Sequence, residues 1–168
     1  GYLGLQPLLV REQLHGTETQ FGLSLGAFGI GSIVVALWIA PVRRRFGGEA
    51  VVGMSTLIFA LMLLPISRVT SLPALLALTL VAGGAWVAVL TSLNVAMQLR
   101  SPEAILGRCL AIYQAVTFGG MALGAYAMGL ASDLIGLSGA VQLSAALLLA
   151  SLALRWLAPM PGRDEGRV

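Results

Sequence analysis

The stretch "TQFGLSLGAFGIGSIVVALWIAPV", Thr19–Val42, runs uncharged between Glu18 and Arg43. It then meets three consecutive arginines in "PVRRRFGG", Pro41–Gly48. An apolar run of this length is enough for one helix to cross a bilayer, which takes about 20 residues. Ten basic residues occur in the whole chain, all of them Arg, and three of the ten are here. The reading of the fold therefore turns on why charge is withheld for so long and then concentrated.

Composition extends that pattern to the rest of the chain. The 168 residues are 58% hydrophobic and 10% charged, whereas soluble domains carry roughly 25% charged residues. So few charges cannot cover the surface of a soluble protein of this size. A formal charge of +3 invites a nucleic-acid reading, but that requires basic residues on one face with stacking aromatics. Here the arginines lie in short connectors between apolar spans, so nucleic acid is set aside and the lipid bilayer is the first expected partner. Cys109 is the single cysteine, which excludes an internal disulfide and leaves no metal or redox spacing. The opening run, Gly1 to Val10, is too short to span and lacks the basic start and small-residue cleavage site of a signal peptide. It reads as the second half of a helix, and the chain as a piece of something longer.

The remaining charges divide the chain into further spans: Ala50 to Ser67, Val69 to Leu99 with its opening turn "TSLP", Cys109 to Ser132, and Leu134 to Leu154. Each is long enough to cross, and helix is the form expected because lipid offers backbone groups no outside partner and no barrel-type alternation is present. Five complete helices after one partial helix are expected over residues 1–160, followed by a cytoplasmic tail at 161–168. Alternating the connectors places Arg11 and Arg68 on one side. Arg43, Arg44, Arg45, Arg100, Arg108, Arg163 and Arg167 fall on the other. Positive charge resists translocation, so "PVRRRFGG" is expected to be a cytoplasmic loop and the C-terminus cytoplasmic, in a plasma (inner) membrane.

Glycines recur at helical spacing in "GLSLGAFGIG" (Gly22, Gly26, Gly29) and as a pair in "FGGMALGAYAMG" (Gly120, Gly124). Such positions are expected to let helices pack closely, with a hinge as the alternative. "GLSLG", Gly22–Gly26, matches the G-x-S-x-G nucleophile elbow. That elbow needs a strand before it and a His with an acid nearby, and the only His is His15, in a loop with no Asp near. Ser24 is therefore not a nucleophile, and no enzyme activity, cofactor or metal is expected. No complete span carries a charge in its middle, so no proton carrier is visible. What the spans do carry is neutral and polar. Thr91, Asn94 and Gln98 share one helical face, and Tyr113, Gln114 and Thr117 cluster at the start of the next helix. Two readings stand for them: interhelical hydrogen bonds, or the lining of a solute cavity.

At this point the connectors resemble a known family. The arginine-rich turn after the second helix, and "SPEAILGRCLAIYQAVTFGGMALGAYAMGLASDLIG" after the fourth, resemble the C-terminal half of a major facilitator superfamily transporter. The branch is the enterobactin-exporter-like or transmembrane secretion effector group. Its pattern is matched in order by Pro102, Glu103, Gly107, Arg108, Tyr113, Gln114, Gly119 and Gly120. Leu106 and Ala104 depart from it, where the family often has Arg and an acid, and no Asp accompanies the Arg43–Arg45 cluster. The resemblance implies an all-α membrane fold: the six-helix half, helices seven to twelve, of a facilitator bundle with its first helix truncated. It implies export of a small amphipathic organic solute, drug- or siderophore-like, by alternating access and proton antiport. The titrating acids would belong to a missing N-terminal half. It also implies that Arg44, Arg45, Glu103 and Arg108, with Arg43 beside them, lie at the cytoplasmic face and act as gate or as topology anchor. "PVRRRFGG" and "SDLIG" stand at corresponding places of two three-helix units, as inverted repeats would. A six-helix membrane scaffold without a solute path is the rival reading.

Overall fold

A computed structural model describes residues 2–13 and 17–157, and all its regular structure is helical. In chain order these are α1 (Tyr2–Gln13), α2 (Glu18–Phe46), α3 (Gly48–Ile66), α4 (Leu72–Arg100), a 3-10 turn (Glu103–Ile105) and α5 (Leu106–Leu157). α2, α3, α4 and α5 are each long and apolar enough to cross a membrane. His15 and the tail at 161–168, with Arg163 and Arg167, lie outside the described residues.

Two expected connectors turn out to be helix. Arg43, Arg44 and Arg45 form the last turn of α2 rather than a loop. The physical reason is the helix dipole, whose negative C-terminal end favours cations. The turn itself is Gly47 alone, at φ 82°, with its N–H donating to the Arg43 carbonyl at 2.9 Å. A side chain is rarely tolerated at that φ, and Glu49 then opens α3 at the end that favours an acid. The second difference is at Asp133, expected to punctuate two spans. It stays helical and exposed, and residues 106–157 form one run interrupted at Gly136, where φ is 76° and ψ 163°. A single Asp does not break a helix, whereas a glycine free to take positive φ does.

Packing fixes the directions of the helices. Gly31 meets Leu80, Val35 meets Gly84, and Ile39 shares a cluster with Ala88, so α2 and α4 advance together and run parallel. α3 runs back the other way and packs mainly on α4, with Phe59 against Trp86 at 5.7 Å between ring centroids. The core joins Leu5 and Leu9 of α1, Phe28 of α2, Leu63 and Ile66 of α3, Leu75 of α4, and Leu137 and Val141 of α5.

The closest approach is between α2 and α4. A Cβ on Gly31 would overlap the Leu80 carbonyl, one on Gly83 the Phe28 carbonyl, and one on Gly84 would lie 2.6 Å from Val35 Cγ2. The Ser32 hydroxyl sits in this crossing, its proton shared between the Phe28 carbonyl at 2.8 Å and the Gly83 carbonyl at 3.1 Å. Four of the glycines singled out from spacing do not serve this crossing. A Cβ on Gly22, Gly26, Gly29 or Gly120 would meet nothing within 4 Å. Spacing shows which glycines share a stripe, but the partner's backbone decides which of them is needed.

Candidate solute face and charged end

With α2 and α4 parallel, Arg43, Arg44 and Arg45 share one end of the bundle with Arg100, Glu103 and Arg108. Arg43 is half-buried, while Arg44, Arg45, Glu103 and Arg108 are exposed. Arg45 lies over the Phe46 ring, 5.7 Å from its centroid, a contact that holds an arginine beside an apolar ring. Arg11 closes α1 and Arg68 follows α3, both at the opposite end.

The two polar clusters flank the α4–α5 connection. Thr91 is about 14 Å of helix before Arg100 and Thr117 about 17 Å after Leu106, at 1.5 Å per residue. Both clusters therefore lie toward the arginine-rich end. Thr91, Asn94, Tyr113 and Thr117 are half-buried, and Gln98 and Gln114 are exposed. Asn94 Nδ2 donates to the Leu90 carbonyl at 3.0 Å, and Thr117 Oγ1 to the Tyr113 carbonyl at 2.8 Å. Each of these bonds stays within its own helix.

Bonds that cross between helices are made by other residues. Gln6 Nε2 of α1 donates to Ser24 Oγ of α2 at 3.3 Å, and Ser24 passes its own proton to the Phe21 carbonyl at 2.8 Å. Ser32 links α2 to α4, and Gln142 Nε2 of α5 donates to Ser67 Oγ at 3.3 Å. The glue reading thus applies to Gln6, Ser32 and Gln142. Ser24, the residue of the apparent elbow, is fully buried as the acceptor of a glutamine.

One neutral polar residue here lies off the shared face read from sequence. Ser92, next to Thr91 but turned about 100° round the helix, is 2% exposed. Its hydroxyl, like that of Tyr113, is buried without a hydrogen-bond partner among the described residues. A buried hydroxyl left unpaired costs about 1–3 kcal/mol. Composition cannot separate such a serine from one that is satisfied by its own helix. Among the described residues, no three His, Cys, Asp or Glu side chains gather closely enough to hold a metal ion.

Long apolar helices, charge held to the two ends and a polar face between them define a helical protein embedded in a membrane. A family model described as transmembrane secretion effector matches residues 1–167. The chain belongs to that family, a group of major facilitator-type membrane transporters. No curated protein and no solved structure matches it.

Proposed function

We propose that the chain is the C-terminal, six-helix half of an exporter that moves a small amphipathic organic solute by alternating access. In this reading α1 and the two arms of α5, 106–135 and 137–157, complete the count of six. The arginine-rich end faces the cytoplasm, because Lys and Arg resist translocation. The N-terminal half is the partner, and its acids supply proton coupling. It would pack on α2 around Gly22 and Gly26 and on α5 around Gly119 and Gly120, where glycines face open space and Leu37, Ile112 and Val116 are exposed.

The observation that supports a solute path most directly is the state of the α4–α5 face. Asn94 and Thr117 bond only within their own helices, and Gln98 and Gln114 are exposed. These groups keep hydrogen-bonding capacity beside apolar walls, which suits an amphipathic ligand. A scaffold would use such residues to tie helices together. At the charged end, Arg44, Arg45, Glu103 and Arg108 are assigned to biasing inward-open against outward-open states.

The test is export by the full protein, read as uptake into energised everted vesicles whose outer face is the cytoplasmic one, across a panel of amphipathic organic compounds. Asn94→Ala and Gln114→Leu are each expected to lower export about fivefold, the size of one hydrogen bond near 1 kcal/mol. Unchanged export in both variants would remove the solute-face reading and favour the scaffold.

A further inference from the structure

At the end opposite the arginine triplet, an open cavity of about 420 Å³ lies between α3 and the second arm of α5, lined by Leu64, Pro65, Arg68 and Gln142. The geometry points to a site for one anionic phospholipid, its phosphate on Arg68 and its acyl chain along the groove below. The site rests on the membrane class of the chain and is separate from the polar α4–α5 face.

Three features build it. First, the backbone under Arg68 is fixed: the Ser67 N–H donates to the Leu63 carbonyl at 3.0 Å and the Arg68 N–H to the Pro65 carbonyl at 3.0 Å. The side chain therefore leaves from the point where the apolar run of α3 ends, at the depth of lipid head groups. Second, its charge is available. No ion pair to Arg68 occurs among the described residues, and Arg68 is exposed. A guanidinium presents a planar fork that matches two phosphate oxygens. Gln142 lines the same cavity and spends one amide N–H on Ser67 Oγ. The amide has a second N–H to offer a phosphate oxygen.

Third, the surface below the charge is apolar and suited to a chain. Leu61 and Leu57 continue the exposed row of Leu64 along α3. On the facing arm, Ala146 and Ala153 follow Gln142 at helical spacing, and both are exposed. The exposed leucines of α3 and, on the facing arm, two alanines flanking the half-buried Leu149 present an apolar surface, and each methylene laid on it adds dispersion contact. A single cation selects a lipid with net negative charge, since a zwitterionic head group would place its own cation against the guanidinium.

Native mass spectrometry of the full-length protein released from nanodiscs of mixed phosphatidylglycerol and phosphatidylcholine tests this. The wild type is expected to retain one phosphatidylglycerol. Arg68→Gln should lower the retained fraction about tenfold, the scale of one charge-assisted hydrogen bond. Arg11→Gln, the same charge change at the same end, should leave it unchanged. Retention by Arg68→Gln, or an equal loss in Arg11→Gln, overturns the site. A phosphatidylglycerol carrying a diazirine near its head group needs no variant. Labelling of the wild type concentrated on the peptide holding Leu64 to Arg68 supports the site, and labelling spread over all helices overturns it. Excess inorganic phosphate is expected not to displace the lipid; displacement would assign the site to free phosphate instead. Export is not read in any arm, so failure here leaves the transport reading standing.

Discussion

Gln6 is 2% exposed and its amide reaches Ser24 across 3.3 Å, a long bond for a buried pair. Two substitutions separate its packing from its polarity. Gln6→Leu keeps the volume, and Ser24 keeps the Phe21 carbonyl as acceptor, so stability in detergent is expected to change by less than about 1 kcal/mol. Gln6→Ala empties the site and is expected to cost about 2–4 kcal/mol, as truncations in packed cores do. Thermal unfolding of the two variants checks this, and equal losses for Leu and Ala would mean that the hydrogen bond both remove dominates. Thr91, Asn94 and Gln98 were readable from sequence as a shared face, because their spacing alone puts them there. The unpaired hydroxyls of Ser92 and Tyr113 were not, because pairing depends on what a neighbouring helix presents.

Among elements, the α2–α4 crossing holds the tightest contacts. Gly31→Ala and Gly83→Ala each force a methyl group onto a facing carbonyl, and the cost is expected at about 1–3 kcal/mol per site from overpacking. Gly29→Ala, outside the patch assigned to the N-terminal half, meets nothing within 4 Å and is expected to be neutral or stabilising by up to about 1 kcal/mol. Melting temperatures of the three variants compare them directly; equal losses would show that α2 packs through a different face. The glycine repeat of α2 was legible as a small-residue stripe and misleading as a contact, since Gly31 lies just beyond the stripe that spacing picked out. The arginine triplet was likewise legible as an end marker. Its helical conformation was not, because a dipole at the end of α2 stabilises arginines that loop statistics would leave outside.

For the whole molecule, the arginines separate the two ends. Arg43, Arg44, Arg45, Arg100 and Arg108 lie at one end, and Arg11 and Arg68 at the other. Replacing Arg43, Arg44 and Arg45 with Gln is expected to produce a mixture of orientations, because Arg100 and Arg108 still favour the original one. Compartment-specific reporters joined at Glu49 measure the proportions, and a single unchanged orientation would assign topology to the remaining arginines. That the chain is built of long apolar helices was legible because a bilayer demands length and lack of charge from each of them, whereas the last two expected spans are joined in one helical run interrupted only at Gly136. The parallel course of α2 and α4 was not, since no local pattern records which spans become neighbours.

The Ser32 hydroxyl also bears on how the chain is made. Its two acceptors lie at very different distances along the polypeptide, one four residues back and the other 51 residues ahead. At roughly 5–20 residues per second of synthesis, Gly83 is made several seconds after Ser32. Through that interval the Phe28 carbonyl can take the proton, so the nascent helix never holds an unsatisfied hydroxyl in hydrocarbon. When the later helix is released beside it, the same proton is already in place to be shared. A serine at this position lets the early span wait without penalty for a neighbour that has yet to be translated.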